Sequence, residues 1–209
     1  MAVRETVTVE ADTPHGLARV HLHAMADARG AVVLGHGAGG GVGAPDLVAV
    51  KRAALADQIA VALVEQPYRV AGRRSPAPGH QLDAAWTAVV ETLRAGPLSE
   101  LRLVLGGRSS GARVACRTAH ELGAVGVLCL AFPLRPPGRS GSAAAASRLP
   151  ELDEVHVPTL VVQGERDPFG IPPSAPSRTV VLVHGDHSLR GDVAAVSAAA
   201  ETWLSDVLP

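Results

Sequence analysis

Residues 103–115 read L-V-L-G-G-R-S-S-G-A-R-V-A, an apolar run that halts at a glycine-flanked serine and resumes with helical spacing. A chain with this pattern has to turn sharply from a buried strand into a helix at Ser109. The glycines two positions either side suit such a turn, because a Cβ there would strike a neighbouring strand or helix. The turn holds the serine hydroxyl clear of its own backbone, which makes Ser109 a candidate nucleophile. An ordinary tight turn uses the same small residues, so the rest of the chain has to decide.

Downstream, V-P-T-L-V-V-Q-G-E-R-D-P-F-G carries an apolar strand (Val157 to Val162) into a turn with Asp167, and T-V-V-L-V-H-G-D-H-S-L carries another (Thr179 to Val183) into a loop with His187. Serine, aspartate and histidine thus follow one another, each just past the carboxyl end of an expected strand. In a parallel sheet those ends lie side by side, so residues distant in sequence meet there. His187, neutral near pH 7, is the candidate base for the Ser109 hydroxyl, and Asp167 the group that orients it. His184, Asp186 and Glu165 compete for those roles, and His36 reads as a loop-ordering histidine.

Upstream, A-V-V-L-G-H-G-A-G-G-G (Ala31 to Gly41) is a buried strand followed by a glycine-dense loop. Acyl transfer needs two backbone N–H donors aimed at a developing oxyanion, and Ala38 and Ser110 are placed to supply them. A phosphate-binding loop is the weaker reading, since there is no G-K-[ST] and no spaced G-x-G-x-x-G that opens a helix with an acid partner downstream.

With these stretches the chain resembles the α/β-hydrolases from about Val20 to Leu204. It is most similar to the small dienelactone-hydrolase-like branch that includes testis-expressed and histone-acetyltransferase-complex hydrolase-like proteins. The narrower resemblance is carried by G-H-G-A-G-G, E-Q-P-Y-R-V-A-G-R-R-S-P-A-P (Glu65 to Pro78), G-G-R-S-S-G, A-F-P-L-R-P-P-G (Ala131 to Gly138), Q-G-E-R-D-P-F-G and G-D-H-S-L. Dienelactone hydrolases proper carry a cysteine where Ser109 stands. The resemblance implies an α/β fold, a mostly parallel central sheet with helices on both faces and a minimal cap or none. It also implies a serine hydrolase that cleaves a carboxylic ester or thioester of a small molecule through an acyl-enzyme on Ser109. The alternatives are a non-catalytic scaffold on the same fold and an acyltransferase using the same residues.

A chain of 209 residues with 47% hydrophobic content is expected to bury its core as a single domain, 1–209. An antiparallel pair (Glu5 to Glu10, Leu17 to Ala24) should precede alternating strands and helices, the helices being Pro45 to Ile59, His80 to Arg94, Ser110 to Leu122 and Asp192 to Val207, with a strand at Ala60 to Glu65. Asp46 suits the first turn of its helix, where the dipole favours an anion. Residues 136–148, rich in proline, glycine, serine and alanine, read as a connector or a short lid.

A net charge of −1 offers no basic cluster for nucleic acid or anionic membrane. The longest apolar run, Ala124 to Pro133, falls short of the roughly 18 to 20 residues a spanning helix needs. Cys116 and Cys129 lie among apolar neighbours and read as buried free thiols in a reducing cytoplasm. His21 and His23 share a strand face but find no third ligand, so neither a metal nor any other cofactor is expected. Tyr68, Arg73 and Phe132 are candidate substrate contacts. Arg108, inside the turn, is expected to pair with Glu65 or another acid. Nothing in the sequence sets an oligomeric state.

Overall fold

The computed structural model describes residues 6–136 and 146–209. Eight strands, β1 (Thr6–Thr13), β2 (Gly16–His23), β3 (Gly30–Gly35), β4 (Ile59–Glu65), β5 (Leu103–Arg108), β6 (Gly126–Leu130), β7 (Thr159–Gly164) and β8 (Arg178–Val183), form one sheet in the order β1-β2-β4-β3-β5-β6-β7-β8. β1 and β2 pair antiparallel, as do β2 and β4, and every pairing from β4 to β8 is parallel. The helices are α1 (Pro45–Ala56), α2 (Pro67–Val70), α3 (Gly79–Arg94), α4 (Ser110–Thr118), α5 (Leu149–Asp153) and α6 (Val193–Val207).

The parallel strands are buried along almost their whole length because helices cover both faces, which is why β3, β4 and β7 read as continuous apolar runs. Period two is still present in the packing. Val33, Leu105 and Val127 face a core with Trp86, Val89 and Leu93 of α3 and Ala112 and Ala115 of α4. Their neighbours Val32, Val104 and Leu128 face the opposite core, with Leu47, Val50 and Ala54 of α1 and Val196, Ala200 and Leu204 of α6. β2, outside the parallel array, alternates buried Ala18, Val20 and Leu22 with partly exposed positions.

Helix ends follow local chemistry. Proline opens α1, where its missing N–H loses nothing. The Asp192 carboxylate accepts the Ala195 N–H at 2.9 Å and caps α6. Two ends differ from expectation by more than one residue. α1 stops at Ala56 rather than Ile59, since Gln58 turns to φ 57° to enter β4, and α4 stops at Thr118 rather than Leu122, before Gly123 turns at φ 56°. The sequence reading contained neither α2 nor α5, because helices of four and five residues are too short for periodicity to reveal. Residues 137–145, most of the stretch read as lid or connector, lie outside the described residues.

Candidate active site

β3, β5, β7 and β8 all end at the same edge of the sheet, and the loops that leave them carry Ala38, Ser109, Asp167 and His187. At the end of β5 the backbone of Ser109 takes φ 52° and ψ −107°, and its N–H donates to the carbonyl of Leu130 on β6 at 2.8 Å. A non-glycine residue in this left-handed region is strained by roughly 1–3 kcal/mol and persists only where its surroundings fix it. Here they do. A Cβ on Gly107 or Gly111 would strike the carbonyl of Gly35, so both positions must be glycine for β5 and α4 to come this close to β3.

The structure brings Ser109, His187 and Asp167 together. His187 Nε2 lies 2.9 Å from Ser109 Oγ, and His187 Nδ1 lies 2.8 Å from Asp167 Oδ2. Asp167 has a wholly buried side chain, so only an anion-stabilising surround lets it hold charge there. Gln163 supplies part of that surround, donating from Nε2 to Asp167 Oδ2 at 2.7 Å and reaching the carbonyls of Phe132 and Gly170 at 3.0 Å each. The Phe169 N–H donates to Asp167 Oδ1 at 2.9 Å, and the Phe169 ring meets the His187 ring edge-on with centroids 4.4 Å apart. Neither Gln163 nor Phe169 was among the site residues expected from sequence. Gln163 had left a trace as the one amide in an otherwise apolar buried strand, where a polar group requires partners.

Arg108 has an acid partner, but it is Asp46 and not Glu65. Its Nε lies 2.9 Å from Asp46 Oδ2, and its Nη2 donates to the carbonyl of His187 at 2.9 Å. The Asp46 contact is charge pairing rather than an aligned hydrogen bond, since Oδ2 receives no donor along its N–H axis. Asp46 does sit in the first turn of α1, yet its carboxylate is fully buried. Burial pushes its pKa above the ordinary carboxylate value, and Arg108 opposes that shift.

In the loop after β3, His36 donates from Nδ1 to the Gly37 carbonyl at 2.9 Å and accepts the Gln66 N–H on Nε2 at 3.1 Å. Accepting the Gln66 N–H requires the neutral ring, and burial lowers its pKa accordingly, against the Gly37 bond, which raises it. Tyr68 donates its hydroxyl to the Ala38 carbonyl at 2.9 Å, which orients the peptide plane next to the cavity. Ala38 and Ser110 both line the cavity of about 290 Å³ that holds Ser109. Among the described residues, no acceptor takes the N–H of either.

The other expected contacts fall elsewhere. Tyr68 and Arg73 line a second cavity of about 400 Å³, which shares Ala77 and Leu82 with the lining of the Ser109 cavity. Phe132, expected at the pocket, is wholly buried in the core, where its ring completes packing rather than meeting a ligand. His184 lies on the exposed side of its loop, 3.6 Å from Glu165, and Asp186 binds Ser188. His21 pairs with Glu65 at 3.1 Å and His23 with Thr6 at 3.0 Å. The Sγ atoms of Cys116 and Cys129 are 3.5 Å apart, as buried free thiols. Among the described residues no group of three His, Cys, Asp or Glu side chains is arranged to hold a metal ion, and no helix is long and apolar enough to cross a membrane.

A family model described as an alpha/beta hydrolase domain matches residues 28–204. No curated protein matches the chain in sequence. In structure it is similar to XC6422 from Xanthomonas campestris, described as an α/β serine hydrolase without lid, with a TM-score of 0.78 at 20% identity over 100% of this chain and 98% of that one. Est1E from Butyrivibrio proteoclasticus superposes with a TM-score of 0.77 at 13% identity, covering 96% of this chain and 98% of the other. Dienelactone hydrolase from Anabaena variabilis does so with a TM-score of 0.76 at 18% identity, covering 98% and 99%.

Proposed function

This chain belongs to the α/β-hydrolase family, and from that premise we propose that it is a single-domain serine hydrolase cleaving a carboxylic ester or thioester of a small substrate. The observation that carries the proposal is the unbroken relay from Ser109 Oγ through both ring nitrogens of His187 to Asp167, with steps of 2.9 and 2.8 Å.

In this reading Asp167 holds the proton on His187 Nδ1, which leaves the Nε2 lone pair facing the Ser109 hydroxyl. A serine hydroxyl is not ionised near neutral pH, so His187 takes its proton as Oγ attacks the substrate carbonyl carbon. The carbonyl oxygen then carries the negative charge, between the N–H groups of Ala38 and Ser110. Collapse of this intermediate breaks the bond to the alcohol or thiol, which leaves with the proton from His187, and the acyl group remains on Ser109. Water attacks the acyl-enzyme with His187 again accepting the proton, and the free acid departs. Donors fixed in advance at the site of charge development contribute about 3 kcal/mol each to such a step. Phe169 against the imidazole, Gln163 against Asp167 and Arg108 against the His187 carbonyl keep the ring from wandering during the two transfers.

A fluorophosphonate probe tests the reading without knowledge of the substrate, because phosphonylation needs both an activated hydroxyl and oxyanion donors. The native protein should gain one adduct, mapped by peptide mass spectrometry to Ser109, and heat-denatured protein none. A native protein that stays unlabelled overturns the proposal in favour of an interaction protein on a hydrolase scaffold.

A further inference from the structure

Three arginines, Arg113, Arg117 and Arg148, line the Ser109 cavity. Two are matched. Arg113 grips Glu151 with both arms, at 2.8 and 2.5 Å, and Arg117 grips Asp83 at 2.8 and 2.6 Å while reaching Glu151 at 3.3 Å. Arg148 has no carboxylate partner among the described residues, and the stretch 137–145 contains neither Asp nor Glu. It is nevertheless held in place: its Nη1 donates to the Pro133 carbonyl at 3.1 Å and its backbone N–H to Leu134 at 2.8 Å.

Among the described residues the cavity wall therefore keeps one uncompensated positive charge, three cations against two carboxylates. Partial burial, and then the nearness of Arg113, pull the Arg148 guanidinium below its usual proton affinity, with Glu151 opposing. Anchoring a half-buried cation beside two others is unfavourable unless an anion joins them, because the desolvation of each charge is offset only by a partner.

Building on the proposed serine chemistry, we propose that the substrate itself bears a carboxylate, held by Arg148 while its ester carbonyl sits at Ser109. A single net positive charge balances a monoanion and would leave a phosphate dianion half neutralised. The planar guanidinium also matches the two oxygens of a carboxylate. Half-esters and half-thioesters of dicarboxylic acids, or hydroxy acids acylated on their hydroxyl, are the classes that satisfy both ends.

The test uses paired fluorophosphonates of matched chain length, one ending in a methyl group and one in a carboxylate. A range of lengths is needed, with the terminus on either of the two chains that phosphorus carries. Ser109 Oγ bonds to phosphorus and fluoride leaves, so the rate of adduct formation reads recognition independently of any natural substrate. In the wild type at least one carboxylate probe should label about tenfold faster than its methyl partner, a preference that weakens with added salt. Arg148→Gln should bring that ratio close to one, and Arg148→Lys should retain part of it. Labelling by methyl probes with no carboxylate preference at any length, or a preference untouched by Arg148→Gln, overturns the inference and leaves the hydrolase reading standing. Labelling by neither series overturns that reading, and the inference falls with it.

Discussion

The guanidinium of Arg108 holds the carbonyl of His187 at 2.9 Å while its other edge faces the buried carboxylate of Asp46. A residue inside the serine turn thereby fixes the loop that carries the imidazole and ties both to α1. Arg108→Leu leaves the Asp46 charge buried without a partner, which is expected to cost about 3 kcal/mol in denaturant unfolding. Adding Asp46→Leu should recover much of that loss. If the two single changes instead add independently, the pair is not coupled as described.

Ser109→Ala and His187→Ala should each lower ester turnover by about 10³-fold or more while far-UV circular dichroism and Tm stay close to wild type. His184→Ala, on the exposed side of the same loop, should be nearly silent. An inactive His184→Ala alongside an active His187→Ala would reassign the base.

Gln163→Leu removes the 2.7 Å donor from Asp167 Oδ2 and opens no route for water to replace it. The expected result is a kcat lower by about tenfold with KM little changed, since what is lost is alignment in the transition state rather than substrate binding. An unchanged kcat, or a loss that falls on KM instead, would mean that Gln163 merely packs.

His36 is buried and neutral, with a proton affinity below the ordinary histidine value. As pH falls through about 6.5 the unfolded chain takes up a proton that the folded chain refuses, so stability is fully present above that pH and declines below it. In His36→Gln the slope of unfolding free energy against pH between about 5 and 7 should be shallower than in wild type, whatever the change in absolute stability. Parallel slopes would show that His36 does not titrate on unfolding.

The serine turn, the glycine loop and the order Ser109, Asp167, His187 were legible because each follows an apolar run, and parallel strands between helical layers make such runs unmistakable. The partners were not. Asp46 reaches Arg108 from across the sheet edge, and no spacing connects residues 62 positions apart as Arg108 and Asp46 are. Of the aromatic residues expected at the substrate, Tyr68 spends its hydroxyl on the Ala38 carbonyl and Phe132 its ring on the core. Gln163 could have been found by asking where a buried amide in V-V-Q-G finds its hydrogen bonds.

At Ser109 the left-handed backbone sets stability against activity within one residue. Relief of its strain by glycine should gain roughly 1–3 kcal/mol, against about 0.4–1 kcal/mol for the added freedom of the unfolded chain, so Ser109→Gly should fold more stably than the protein itself. Selection for stability alone would have erased the hydroxyl. Under the proposed function, a serine kept at the angle where glycine fits best is explained by the acyl transfer its hydroxyl would perform, which the fold does not need.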